Sequence, residues 1–294
     1  MDIPLESDVS DIPRLMAREA LQKAGYAVEA TAYRDNTIAV QAMIEGKLDV
    51  AVLSLPGALS AIQQGAAIKV IMAAGIQTRA LAALPDIKEC KDLNKKQVAV
   101  PNIVSSQTLA LQRYIAKRCP GTEVDRVVIA GANNRLAALL THRTDGAILD
   151  LMTLLYLQRE DASRFNVLTV FGVEFPGMGG ATVVAPQSFL DRYPETARDI
   201  VREWIHAMRM VQDPAVLKGQ IEKHLGIEPG LAGIAAKAYL EQKAWEVNGG
   251  LQDGFMQWNI DFSVESGALK PGLTPAAVED RRHLNAVLEV IGRQ

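Results

Sequence analysis

The chain offers hydrogen-bonding side chains, rather than a nucleophile and its base, at the places where strands give way to helices. After the first strand stand Ser7, Asp8 and Ser10; after the second, Asn36 and Thr37; after the third, Ser54. Farther along, the same kind of position is held by Asn102, Ser105 and Ser106, then Asn133, then Asp150. The first turn of a helix carries unpaired N–H groups and partial positive charge. Hydroxyls and amides gathered there suit a polar or anionic group on a ligand. Each Ser or Asn is also a natural N-cap, which needs no ligand. Capping is enough to explain Asn36, Thr37 and Asn133. The Ser105-Ser106 pair asks for more, because one hydroxyl can cap while the other points outward. Asp8 and Asp150 fit two roles: complementing a helix dipole, or accepting a hydrogen bond from an amine or hydroxyl.

Covalent and metal chemistry lack their usual signatures. The sequence has no Ser-His-Asp order, H-E-x-x-H, P-loop or dinucleotide-binding glycine run. His142, His206, His224 and His283 are scattered, so no metal-ligand set and no cofactor is indicated. Cys90 and Cys119 form no C-x-x-C, and their spacing leaves two unpaired thiols and a disulfide equally open.

The elements that must hold these residues alternate. Ile3-Pro-Leu reads as a short strand. Ser10-Asp11 caps a helix with apolar positions Ile12, Leu15, Met16, Ala20 and Leu21, ended by Gly25. Residues 26–33 alternate as a strand, Asn36-Thr37 opens a helix that closes near Gly46, and 49–53 is a buried strand. Pro56 starts a helix that stops at Gly65, and 68–74 is another strand. Strands separated by helices predict parallel sheets, since parallel pairs need long crossovers. After a connection at 78–87 the rhythm restarts, with strands at 97–101, 124–129, 145–149 and 165–171 and helices at 105–118, 133–142 and 150–160. The chain passes through 181–185 as a further strand. From Pro194 it is almost wholly helical, with long amphipathic stretches at 195–211, 230–246 and 274–291.

The restart is a repeat. At an offset of 96 residues, AMIEGKLDVAVLSLPGAL (42–59) lies on ALLTHRTDGAILDLMTLL (138–155) without gaps. Asp49 falls on Asp145, Ala51 on Ala147, and Leu53, Leu55 and Leu59 on Leu149, Leu151 and Leu155; the same shift lays Ser10 on Ser106. Two pseudo-equivalent α/β lobes follow, with ligands expected outside the carboxyl ends of their strands. A length of 294 residues accommodates two such lobes. The net charge is −3 with no Lys/Arg block, which gives no support for nucleic acid or an anionic membrane as partner. No apolar stretch is long enough to span a bilayer. Aromatic residues make up only 5%, which favours a small solute over a large stacked one, although Tyr33, Tyr156 and Phe175 could stack. Met1 is followed at once by Asp-Ile-Pro-Leu, a start that suits a cytosolic protein or a secreted one whose signal has been removed.

The run EGKLDVAVLSLPGALSAIQQGAAIKVIMAA resembles substrate-binding proteins of the nitrate/sulfonate/taurine and thiamine-precursor class of ABC importers. KDLNKKQVAVPNIVSSQTLALQRYI is similar to their second-lobe opening, and DLMTLLYLQRE and SFLDRYPETARDIVREWIHAM to later segments. The resemblance implies a type II periplasmic-binding fold: two α/β lobes, a ligand cleft between them and a helical C-terminal part. It sets lobe 1 at 1–77 plus 179–294, lobe 2 at 88–178, and inter-lobe crossings at 78–87 and 172–182. It implies a non-enzymatic, monomeric, periplasmic protein that captures a small polar or acidic organic solute and delivers it to a membrane permease. Contacts would fall on Ser10, Ser54, Ser105, Ser106 and the crossing residues Gln77 and Thr78, joined by Asp8, Asn102 and Asp150. Ser10 and Ser106 would be equivalent, as would Ser54 and Asp150. The first-strand loop carries Glu6, Asp8 and Asp11, which argues against a simple inorganic anion. Both cysteines would lie at the end of lobe 2 away from the cleft.

Two rivals share the architecture. One is an enzyme of the thiamine-pyrimidine or menaquinone-pathway type; the former would carry a cysteine-rich segment, which is absent. The other is a cytoplasmic sensor domain, which would follow a helix-turn-helix segment; this chain starts with a strand.

Overall fold

The computed structural model describes all of the chain except residues 4–6, 34–35 and 104, and says nothing of the side chains at 2–3 and 160–162. Glu6 therefore lies outside the described residues. The chain divides into two compact units, 1–76 with 179–294 and 77–178, so it passes between them twice.

The first unit opens with β1 (Asp2–Ile3), a 3-10 turn at Val9–Asp11, and α1 (Ile12–Lys23). It continues with β2 (Thr31–Ala32), α2 (Asn36–Ile44), β3 (Ala51–Ser54), α3 (Leu55–Gln63) and β4 (Ile68–Ile76). Among the described residues, only Thr31 and Ala32 of the strand expected at 26–33 pair in a ladder, opposite Asp2 and Ile3. The second unit holds β5 (Ala80–Ala83), β6 (Lys96–Val100), α4 (Ser106–Arg118), β7 (Val124–Val128) and α5 (Ala132–Leu140). It ends with β8 (Gly146–Leu149), α6 (Leu151–Asp161), β9 (Asn166–Val170) and the short α7 (Phe171–Glu174). Back in the first unit come β10 (Gly179–Pro186) and α8 (Gln187–Arg192), α9 (Pro194–Met210), α10 (Pro214–Leu225), α11 (Pro229–Glu241), α12 (Phe255–Glu265), α13 (Pro275–Val278) and α14 (Arg282–Ile291).

Of the three sheets among the described residues, only the two-stranded β1-β2 pair is purely parallel, contrary to the reading from strand–helix alternation. In the second unit the order is β7-β6-β8-β5-β9, with β7, β6 and β8 parallel and β5 antiparallel to both its neighbours. The segment 78–87 is thus no simple crossing: Ala80–Ala83 is an interior strand whose four residues are all buried. In the first unit β10 runs antiparallel between β3 and β4, while β1 and β2 form a parallel pair beside β3. The segment 172–182 likewise contains α7 and the first residues of β10. The helix expected over 274–291 breaks at 279–281, where Glu279 bridges to Val70 of β4 and Asp280 N–H donates to Val70 O at 2.9 Å.

At an offset of 96, α2 falls on α5 residue for residue, α3 falls within α6, and the strands β1, β2 and β3 overlap β6, β7 and β8. Each unit has its own core. In the second, Ala80, Ala82, Ala99 and Ala147 present small faces on β5, β6 and β8, and Leu139, Leu154, Leu157 and Phe165 pack over them. In the first, Leu53, Leu55, Leu59, Ile71, Met72 and Trp204 are fully buried. Cys90 and Cys119 form a disulfide with Cα atoms 5.8 Å apart. Cys90 begins the 3-10 turn before β6 and Cys119 caps the end of α4, so the bond lies by the amino edge of the sheet.

Candidate functional site

In the second unit the expected ligand-facing residues collect at the carboxyl edge of the parallel strands; in the first, Ser54 follows the end of β3, and Asp8 and Ser10 belong to the 3-10 turn before α1. In the second unit α4, α5 and α6 begin just beyond β6, β7 and β8, which lie side by side. Their positive ends therefore open on one edge, the arrangement that favours an electron-rich group. Because β5 is antiparallel, with Ala80 opposite Leu149, its preceding residues Gln77 and Thr78 reach the same edge. Both are about 3% exposed.

Ser105 is the N-cap of α4: its Oγ accepts from Thr108 N–H at 3.1 Å and lies 3.0 Å from Thr108 Oγ1. Thr108 Oγ1 in turn donates to Asn102 O at 2.5 Å, so Asn102, itself exposed, enters this cluster through its backbone. Ser106 takes no part in the cap. Its buried Oγ accepts from Gln77 Nε2 at 3.0 Å, while Gln77 Oε1 accepts from Arg79 N–H at 3.2 Å. Asp150 is buried and caps α6: one carboxylate oxygen accepts from Thr153 N–H at 2.8 Å and the other from Thr153 Oγ1 at 2.7 Å. Arg135 joins two of these loops from beneath. Its buried guanidinium donates to Ile148 O at 2.7 Å and to Ile129 O at 3.1 Å, at the ends of β8 and β7.

In the first unit Ser54 caps α3, accepting from Gly57 N–H at 3.3 Å and from Asn36 Nδ2 at 2.7 Å. This bond ties the start of α2 to the end of β3. Asn36, expected as a cap, is the first residue of α2, and its amide is turned to Ser54. The pair Ser54 and Asp150 occupy equivalent capping places in the two units.

Ser10 and Ser106 are not equivalent, contrary to the expectation from the repeat. Ser10 lies inside the 3-10 turn, two residues before α1 begins, and its N–H and hydroxyl both donate to the Asp8 carboxylate. Asp8 N–H donates to Asp11 Oδ2 at 3.0 Å, closing a capping box, and Asp11 also lies 3.7 Å from the buried Arg14. Among the described residues, Asp8 alone takes up the Ser10 hydroxyl, while Asp11 closes the turn behind it. The Ser10 carbonyl accepts from Trp245 Nε1 at 3.2 Å, which fixes the turn against the C-terminal helices. Phe175 is buried beneath Lys117 Nζ, 5.3 Å above its ring, and so offers no open stacking face. Tyr156 is half exposed.

Sequence reasoning missed Thr108, Thr153 and Arg135. The two threonines were findable, since each stands three residues after a Ser or Asp cap. Arg135 carried a weaker signal, a lone cation within the apolar helix ANNRLAALL. Among the described residues, no three His, Cys, Asp or Glu side chains gather in a way that could hold a metal ion.

The NMT1/THI5-like family profile matches residues 19–215, about two-thirds of the chain. No curated protein sequence matches. Solved structures match over nearly the whole length. The ligand-binding component of an ABC-type import system from Staphylococcus aureus, with zinc bound, has a TM-score of 0.78 at 14% identity, covering 98% of each chain. The alkanesulfonate-binding protein SsuA from Xanthomonas axonopodis pv. citri, bound to MOPS, gives 0.73 at 15%, covering 94% of this chain and 97% of its own. The periplasmic nitrate-binding protein NrtA from Synechocystis PCC 6803 gives 0.74 at 10%, covering 97% and 86%. At such identities the likeness establishes the fold, that of the periplasmic binding proteins.

Proposed function

Because the chain belongs to the NMT1/THI5-like family, we propose that it is the solute-binding component of an ABC importer. In this reading it captures a small polar or acidic organic solute and hands it to a membrane permease. The observation that carries the reading is the alignment of three helix starts, α4, α5 and α6, on one sheet edge lined by Gln77, Thr78, Ser105, Ser106 and Asp150. The first unit supplies Ser54 on the equivalent edge, with Asp8 and Ser10 turned toward each other. A solute engaging the second unit's set would gain affinity from convergent hydrogen bonds and exclusion of water. The names of the matched structures, which bind an alkanesulfonate-type molecule and nitrate, support the same reading. A periplasmic location and a monomeric state belong to it. Among the described residues no helix is long and apolar enough to cross a membrane.

Calorimetry against small sulfonates, carboxylates and pyrimidines tests the proposal. One solute should bind, and Ser106→Ala should weaken it roughly tenfold with the fold intact. Turnover of a panel compound, or tight binding that ignores the substitution, would sink it.

A further inference from the structure

The hydrogen-bond polarity around Ser106 is fixed by its neighbours. A backbone N–H can only donate, so the bond from Arg79 N–H identifies the oxygen end of the Gln77 amide. The other end, which faces Ser106 Oγ at 3.0 Å, is therefore the NH2 group. An amide NH2 cannot accept, so Ser106 Oγ accepts, and the serine's own proton must go elsewhere. Among the described residues nothing takes that proton, although Ser106 is only 3% exposed. A buried O–H without an acceptor is costly, which marks it as a group kept for a ligand. It stands in the first turn of the 13-residue helix α4, where the dipole adds positive potential. The first unit repeats this polarity in outline: Ser54 Oγ accepts from Asn36 Nδ2 and Gly57 N–H, so its proton also points away from the protein groups that bind it.

We infer that Gln77 is a positioning residue: its amide locks the Ser106 hydroxyl as a donor, so that the start of α4 takes a hydrogen-bond acceptor of the solute and refuses an ammonium. This rests on the solute-binding reading above and deepens it. It moves Gln77 from ligand contact to the group behind the contact.

The test uses the full chain with ethanesulfonate, whose head group only accepts, and ethylammonium, whose head group only donates. Wild type should bind ethanesulfonate and ignore ethylammonium. Gln77→Leu removes the amide without adding charge and should weaken ethanesulfonate roughly tenfold. Ser106→Ala should do the same, and the double variant should be no worse than either single one, because Gln77 acts through Ser106. Gln77→Glu reverses the polarity. Its carboxylate accepts the Ser106 proton, so ethanesulfonate binding should be lost at neutral pH and weak ethylammonium binding gained, and Ser106→Ala in that background should abolish the gain. Losses that add in the Leu/Ala double variant, or a Gln77→Leu protein as tight as wild type, overturn the inference. A second arm needs no solute. Hydrogen exchange of the Gln77 side-chain amide should be slow in wild type and at least roughly tenfold faster in Ser106→Ala. If wild type binds neither probe nor any other panel compound, the solute-binding reading fails, and the exchange arm alone decides: equal rates in the two proteins overturn the Gln77–Ser106 assignment.

Discussion

At Gly57 the backbone comes so close to its neighbours that a methyl group has no room. A Cβ there would stand 2.8 Å from Ser54 Oγ and would overlap the Asn36 amide. Gly57→Ala should therefore break the Asn36–Ser54 bond and destabilise the first unit by roughly 1–3 kcal/mol, read by urea denaturation. Glu174 makes a different kind of prediction. Its carboxylate is held below the usual range by the bidentate Arg118 guanidinium at 2.9–3.0 Å and by Lys117, against the opposing pull of burial. A carboxyl whose folded pKa is depressed contributes stability above its unfolded pKa and loses it as pH falls through the folded one. Wild type should thus exceed Glu174→Gln in denaturant midpoint at pH 7, and the gap should close under strongly acidic conditions. The residue types at caps are legible in the sequence: Ser54, Ser105 and Asp150 announce themselves by sitting between an apolar strand and a helix. The pairs Asn36–Ser54 and Gln77–Ser106 are not, because sequence separations of 18 and 29 become contacts only when the sheet brings the loops together.

Among elements, α4 shows how local chemistry and covalent constraint share one helix. Ser105→Ala removes the acceptor for Thr108 N–H and should cost about 1 kcal/mol in denaturation experiments, with α4 fraying first in hydrogen exchange. At its other end, the disulfide closes the segment from Cys90 to Cys119. In the chain-entropy account a loop of this length stabilises by roughly 3–4 kcal/mol, so a Cys90→Ser/Cys119→Ser protein should unfold at lower denaturant in proportion. The helices and most strands followed from periodicity and from glycine stops. β5 did not, for a physical reason. Ala-Leu-Ala-Ala has no β-branched residue and no alternation, and its extended form is imposed by ladders on both sides and by helices that need small side chains beneath them. Residues 26–30 err in the opposite direction: they alternate well, but alternation does not supply a partner strand.

For the whole molecule, the two units differ in how they are written into the chain. The second is continuous, 77–178, with all five strands of its sheet, its own core and its disulfide. Expressed alone, it should fold cooperatively, giving a sigmoidal thermal melt by circular dichroism. Residues 1–76 alone should not, since β3 and β4 meet only through β10. The repeat made the doubling of the α/β unit legible, because Asp49/Asp145 and the leucines after them keep one spacing. It could not reveal which strand each sheet would receive. The offset of 96 extends farther than the matched residues suggest: β4 falls on β9, and the end of β5 falls at the start of β10. Each half of the chain therefore lends its final strand to the other half's sheet, where it enters antiparallel beside the third strand. In terms of symmetry this is a reciprocal exchange between two copies joined head to tail. A single copy on its own would have an empty slot in its sheet and a strand with nowhere to go, the condition under which two identical chains pair by swapping.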